Sequence, residues 1–320
     1  MNGIKVGIAG TGRIVPESAA ALQQTGYELA AIWGPHPEKA APLAQRFSIP
    51  RICQSYEELL SSGIDFVYIA LVNSVHFEYA RKALEAGVNV LLEKPFCSNS
   101  VQARELAGLA RSKGLYLFET VSNIYLPAWA LLKKRLPEIG RVKLFQADFS
   151  QYSSRYDAYL AGDIIASFNP SCEGGTLRDL GIYNLHLAVD LFGQPDEVLF
   201  RANRGYNGID TSGTVLLRYP DLIAVCTAAK DSGSPSGITV QGEKGYIRIA
   251  GMPNLMPSVE ICVRGREPEH LEPNIYESRL GSMYDSIKRI YLDGNRLEML
   301  EKLAHTLLVM ETLDNCFRDE

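Results

Sequence analysis

An α/β first part, with a parallel sheet covered on both faces by helices, and an α+β second part with a mainly antiparallel open sheet are predicted for this 320-residue sequence. Two observations predict it. Up to about residue 120, short apolar runs alternate with amphipathic stretches, the pattern of strand–helix–strand units. Beyond it, closely spaced strand-like runs are joined by turn-rich segments with few helices between them. The predicted domains are therefore 1–121 and 122–320.

In order along the chain, Ile4 to Ala9 reads as a buried strand, followed by a glycine turn and a helix ending near Gly26. Leu29 to Trp33 is the second strand. Pro42 interrupts the next helical stretch and is expected to kink it or delay its start. Asp65 to Leu71 and Val88 to Leu92 are strong apolar strands, separated by a helix capped by Asn73 or Ser74 and closed by Gly87. Asn99 to Lys113 is helical and stops at Gly114, and Leu115 to Phe118 returns as a strand. In the second part, Arg141 to Phe149, Glu197 to Arg204, Ser212 to Tyr219, Leu222 to Ala228, Ile238 to Gln241, Tyr246 to Ala250 and Val259 to Val263 read as strands. A long helical stretch from Met283 to Phe317, broken near Asp293-Gly294, closes the chain.

Composition narrows the function. Hydrophobic residues make up 46% and charged residues 22%, enough to build a full core and too apolar for long disorder. The formal net charge of -5 lacks the basic excess of a nucleic-acid-binding protein. Lys133-Lys134-Arg135, the one compact basic cluster, reads as the solvated face of a helix. Phe66 to Val72 is the longest apolar run and is too short to cross a bilayer. The six cysteines are scattered without a CxxC pair, which argues against a zinc site or disulfide scaffold. With no signal-peptide layout at the start, the expectation is a soluble cytoplasmic protein with no metal site.

The glycine turn is Gly10-Thr11-Gly12-Arg13-Ile14-Val15. Gly10 permits the tight turn, Gly12 lets the backbone approach a pyrophosphate, and the following helix N-terminus offers free N–H groups. Directly after a first strand, this is the dinucleotide-binding pattern of a Rossmann domain. Val15 stands where a small residue is usual, so looser packing of that helix is expected. Where an acid would hold the ribose of NAD, the tip of the second strand reads Trp33-Gly34-Pro35-His36. No carboxylate there repels a 2′-phosphate, and Arg13, His36 and Lys39 bring positive charge. NADP is therefore favoured over NAD.

A second informative segment runs from Gly174-Gly175 through Leu177-Arg178-Asp179 and Tyr183 to His186 and Asp190. At helical spacing Asp179, Tyr183, His186 and Asp190 form one narrow polar stripe on an otherwise apolar helix. Such a stripe is either hydrogen-bonded internally or faces a cavity.

With Val72-Asn73-Ser74-Val75-His76 and Glu93-Lys94-Pro95 in order after the third and fourth strong strands, the chain resembles the glucose-fructose oxidoreductase and inositol dehydrogenase (Gfo/Idh/MocA) family. The resemblance implies that Lys94 contacts nicotinamide and substrate hydroxyl, that Pro95 follows a cis peptide, and that Leu71, Asn73, His76 and Glu93 join Gly10, Thr11, Gly12, Arg13, Ile14 and His36 at the cofactor. The Gly174–His186 segment resembles the family's second signature, with Tyr183 where many members have histidine. That is the pattern of the glucose-fructose oxidoreductase and dimeric dihydrodiol dehydrogenase branch, in which the tyrosine is taken as proton donor. Tyr152-Ser153-Ser154-Arg155-Tyr156 resembles that branch's substrate-side segment, whereas Ser122-Asn123-Ile124-Tyr125 departs from an arginine-bearing stretch.

The implied activity is reversible hydride transfer between nicotinamide C4 and a carbinol or carbonyl carbon of a sugar, polyol or dihydrodiol. Tyr183 carries the proton, Lys94 assists, and Asp179 orients a substrate hydroxyl or holds Lys94 charged; His186 is the alternative proton carrier. Two other classes fit the same residues: a nucleotide-binding sensor without turnover, and a redox-neutral glycoside-processing enzyme with retained cofactor. An open sheet with one uncovered face also predicts a homodimer or higher homo-oligomer through the second domain.

Overall fold

The computed structural model describes residues 3–318. Its first half contains β1 (Ile4–Ala9), α1 (Val15–Gln24), β2 (Tyr27–Trp33), α2 (Pro37–Arg46), β3 (Arg51–Ile52), α3 (Tyr56–Leu60), β4 (Phe66–Ile69), α4 (His76–Glu85), β5 (Asn89–Glu93), α5 (Ser100–Lys113) and β6 (Leu117–Thr120). There follow α6 (Pro127–Arg135), β7 (Val142–Ser150), α7 (Tyr156–Leu160), α8 (Ile182–Phe192), β8 (Glu197–Arg204), β9 (Asp210–Arg218), β10 (Ile223–Ala229), β11 (Gly237–Gly242), β12 (Gly245–Ala250), β13 (Ser258–Val263), β14 (Glu269–Leu271), α9 (Gly281–Leu292) and α10 (Arg296–Cys316). Two compact units result. One runs to Val121 and resumes over Leu280–Leu307; the other takes Ser122–Arg279 and the chain from Leu308 on.

In the first unit six parallel strands lie in the order β3-β2-β1-β4-β5-β6. The order reverses between β1 and β4, and ligands of open parallel sheets bind outside the carboxyl ends of the strands at such a switch point. Both central strands are buried throughout β4 and nearly so in β1, as expected of a sheet covered on two faces. The α5 helix shows clear end signals: Asn99 accepts the Gln102 amide at 3.0 Å, and Gly114 closes it at φ +68°. Some expectations are corrected here. α2 begins at Pro37 and runs through Pro42, because the missing N–H would have served only the Glu38 carbonyl in the first turn. Val75, not Asn73 or Ser74, stands at the N-cap of α4, after a 3₁₀ turn over Asn73–Val75. The two-residue edge strand β3 is too short to show any periodicity.

The prediction that 122–320 forms one body is also corrected, since Leu280–Leu307 belongs with the first unit. Tyr27 donates its hydroxyl to the Tyr284 carbonyl at 3.0 Å, and Tyr291 meets the rings of Phe66 and Tyr116 edge-on. Thr306 donates to the buried Glu119 carboxylate at 2.9 Å. An amphipathic pattern says that a helix has an apolar face; it does not say which sheet receives it.

The second unit holds eight strands in the order β14-β13-β12-β11-β7-β10-β9-β8, antiparallel except for β7 with β10. On one face Phe145, Ala147, Phe149, Cys226 and Ala228 are buried, and Asn184 of α8 ties to the sheet by donating to the Thr227 carbonyl at 2.8 Å. On the other face Leu144, Leu199, Leu216, Ile223 and Tyr246 are exposed. No helix among the described residues is long and apolar enough to cross a membrane, and no cluster of side chains among them is suited to hold a metal ion.

Candidate active site

The glycine turn lies at the carboxyl end of β1. Gly10 adopts φ +131°, and a Cβ on it would sit 2.3 Å from the Ala70 carbonyl oxygen, so no other residue fits. Gly12 is exposed, with open space where a Cβ would point except for that same oxygen at 3.9 Å. No side chain caps the start of α1; instead the Val15 N–H turns back to the Gly12 carbonyl at 3.1 Å, and Pro16 has no N–H to satisfy. Thr11 and Ile14 are half-buried and Arg13 is exposed. Val15 is completely buried. This cradle, with its tight turn at Gly10 and backbone clearance at Gly12, fits a dinucleotide pyrophosphate.

At the tip of β2, Trp33 stacks on Tyr79 and leans on Tyr56, with ring centroids 5.6 and 5.4 Å away. His36 is exposed at the N-cap of α2, and its Nδ1 lies 3.7 Å from Glu38.

On the same rim, β5 ends at Glu93 and hands over to the half-buried Lys94, whose peptide bond to Pro95 is cis. The Glu93 carboxylate is an internal acceptor: Tyr68 and Thr120 donate to it at 2.7 and 2.9 Å. Tyr68 also meets the Ser18 hydroxyl at 2.7 Å, and burial followed by the nearby Glu93 charge pushes its phenol well above the ordinary range. His76 is fully buried, with Nδ1 2.9 Å from the Pro95 carbonyl and Nε2 3.2 Å from that of Leu71. With both neighbours carbonyls, a neutral ring donates to only one of them, tying His76 either to the chain leaving β4 or to the Lys94-Pro95 turn. Leu71 and Asn73 remain half-buried at the same rim.

In the second unit, Gly174 and Gly175 are demanded by close packing. A Cβ on Gly175, at φ +107°, would fall 2.1 Å from an Asp210 oxygen, and one on Gly174 2.7 Å from the Ala166 carbonyl. Asp210 accepts the Leu177 amide at 2.6 Å and so caps the turn that follows. That turn, Leu177–Gly181, is π-helical, with the Ile182 N–H reaching back to the Leu177 carbonyl. π-Turns of this kind concentrate at functional sites.

The four residues of the polar stripe take different environments. Asp179 accepts from Lys230 at 2.8 Å while its side chain stays 37% exposed. Tyr183 is buried to 5% exposure, its ring 5.7 Å from that of Phe149, and its carbonyl accepts from Asn123 at 2.8 Å. His186 is fully buried. Asp190 accepts from Trp129 Nε1 at 2.7 Å and from Lys133 Nζ at 2.8 Å, so the far end of the stripe is internally bonded and Lys133 is paired. The Tyr152–Tyr156 segment continues into α7; Tyr152 donates to Asp157 at 2.5 Å and Tyr156 stacks with Tyr159.

Sequence reading missed Asp210, Lys230, Asn123 and Arg279. Lys230 had a signal, since it follows an apolar strand as Lys94 does. Arg279 donates to Ser122 at 3.1 Å, so a guanidinium reaches the arginine-lacking segment from 157 residues along the chain.

A glycine cradle at the switch point of a 3-2-1-4-5-6 parallel sheet, joined to a large open-sheet unit, defines the two-domain dinucleotide-binding oxidoreductases. Comparison with known proteins narrows this. Residues 4–120 match the family model described as "Oxidoreductase family, NAD-binding Rossmann fold", and residues 134–248 match the GFO/IDH/MocA C-terminal domain. The chain belongs to the Gfo/Idh/MocA oxidoreductase family and is an NAD(P)-binding oxidoreductase. It is 36% identical over 250 residues to scyllo-inositol 2-dehydrogenase (NADP(+)) IolU of Bacillus subtilis, covering 77% of this chain and 76% of that protein. With trans-1,2-dihydrobenzene-1,2-diol dehydrogenase of Xenopus laevis it shares 28% identity, over 97% and 96% of the two chains. The fold matches that of KijD10, a 3-ketoreductase from Actinomadura kijaniata in complex with NADP and TDP-benzene. There the TM-score is 0.85 at 24% identity, with 98% and 96% of the chains covered.

Proposed function

We propose that this protein is an NADP-preferring dehydrogenase or reductase acting on CH–OH groups of a sugar, polyol, inositol or dihydrodiol. The observation that carries the reading is Lys94 at the carboxyl rim of the same parallel sheet as the Gly10–Gly12 cradle. Supporting it are the relatives named for scyllo-inositol and dihydrobenzenediol oxidation, one of them named as using NADP(+).

When bound, the nicotinamide ring accepts or gives a hydride at C4. Gly10, Thr11, Gly12, Arg13 and Ile14 hold the pyrophosphate, with Leu71, Asn73 and Glu93 shaping the rim beside it. Arg13, His36 and Lys39 favour a 2′-phosphate, helped by the acid-free tip of β2. Tyr183 moves the proton on and off the substrate oxygen, since a carbinol cannot lose a hydride without shedding that proton to a neighbouring base. Lys94 assists, its ammonium favouring negative charge on a nearby oxygen. Asp179 accepts a hydrogen bond from a substrate hydroxyl. The protein works in the cytoplasm as a homodimer or larger homo-oligomer joined through the uncovered sheet face.

The test is turnover by Tyr183→Phe and Lys94→Ala on a panel of inositols, aldoses and trans-1,2-dihydrobenzene-1,2-diol. Each is expected to lose about 10²–10⁴-fold in kcat, the usual worth of a positioned acid–base group. Near-normal turnover by both variants rejects these roles. Cofactor binding without turnover on the whole panel by the unmodified protein favours a nucleotide-binding sensor.

A further inference from the structure

Among the charged side chains of the second unit, Lys230 stands out for where its ammonium is kept. Its side chain is only 4% exposed. The main chain around it is fixed on both sides, with its amide bonded to the Thr211 carbonyl at 2.8 Å and its carbonyl accepting from Ser153 at 2.9 Å. The ammonium donates to Asp179 Oδ2 at 2.8 Å and to the Ser167 carbonyl at 3.1 Å, and lies 4.4 Å above the Phe168 ring. An ammonium has three N–H donors, two of which go to oxygens here, while the ring face adds a cation–π contact. Burying a lysine is costly without such partners, and its charge also offsets the nearby buried Asp210 carboxylate.

We infer that Lys230 is a positioning residue for the redox reaction, one that fixes the Asp179 carboxylate so that it can receive a substrate hydroxyl. An aspartate in a π-turn has two side-chain torsions to settle. The Lys230 ammonium restrains them by engaging one carboxylate oxygen at 2.8 Å, and the side chain stays 37% exposed. A carboxylate already restrained, with 37% of its side chain still accessible, accepts a hydroxyl hydrogen bond at a smaller ordering cost. The inference rests on the proposed role of Asp179 toward substrate, and it assigns Lys230 no contact with substrate or cofactor.

A double-mutant cycle of Lys230→Met and Asp179→Asn tests it, with kcat and KM measured on the best substrate of the inositol, aldose and dihydrodiol panel. Thermal melting and NADPH titration accompany each variant. Lys230→Met is expected to raise KM about ten-fold, the scale of one hydrogen bond to a charged group, with NADPH affinity unchanged. In the Asp179→Asn background the same change is expected to alter KM less than about two-fold, and Lys230→Arg to recover part of the loss. Equal losses in both backgrounds, or a fall in melting temperature with kinetics intact, would make Lys230 a structural pin and overturn the inference. If Asp179→Asn is itself neutral, or no panel compound is turned over, the functional reading fails first. Should Lys230→Met not fold, Lys230→Gln supplies the same cycle.

Discussion

Gly10 and Gly12 divide the work of the turn between conformation and clearance. Alanine at Gly10 would have to hold φ +131° and clear the Ala70 oxygen from 2.3 Å, which needs the backbone to move. Gly10→Ala is therefore expected to lower the melting temperature as well as NADPH affinity. At Gly12 the nearest atom to an added Cβ is 3.9 Å away, so Gly12→Ala should melt like the unmodified protein and lose only cofactor affinity. A fluorescence titration beside a melting curve separates the two, and equal melting losses would contradict this division. Both glycines were legible in the sequence because the turn directly follows an apolar strand. Lys230 was not, because its partner Asp179 is 51 residues away and no local pattern records such a pairing. His76 was visible as a motif residue, but its main-chain neighbours, the Leu71 and Pro95 carbonyls, were not, since they come from strand exits on either side.

At the scale of elements, the turn between Gly174 and Gly181 depends on one buried carboxylate. Asp210 caps it at Leu177, and burial, partly offset by that amide, pushes the Asp210 carboxyl above its ordinary value of 3.8. A group with a raised folded pKa binds its proton more tightly when folded. Its contribution to stability is therefore present at low pH and lost as pH rises through the folded value. Asp210→Asn is thus expected to gain relative to the unmodified protein as pH climbs from below 3.8 towards neutrality, read from melting temperature against pH. A widening gap in the opposite direction would contradict it. Gly175→Ala, whose Cβ would strike that carboxylate, should lose stability at every pH. Strands were read closely wherever alternation or apolar runs were long, as in β1 and β8. The π-turn was not, because a stripe drawn at α-helical spacing cannot register one inserted residue.

For the whole molecule, the division into units was legible at residue 121 but not at its return, where α9 and the start of α10 rejoin the first unit. The face bearing the exposed Leu144, Leu199, Leu216, Ile223 and Tyr246 mixes these apolar side chains with polar ones such as Gln146, Thr214 and Thr227, and it is the face we propose for self-association. If the proposed homo-oligomer forms through this face, Leu199→Arg with Leu216→Arg is expected to sediment as monomer where the unmodified protein does not; an unchanged assembly, or a monomeric unmodified protein, would contradict that proposal. The central claim is a nicotinamide-dependent redox enzyme built for NADP. Titrating cofactor-stripped protein with NADPH and NADH in parallel, followed by fluorescence, tests it most directly. The account predicts tight binding of NADPH and much weaker binding of NADH. Tight NADH binding would overturn the cofactor preference alone, and binding of neither would contradict the account as a whole.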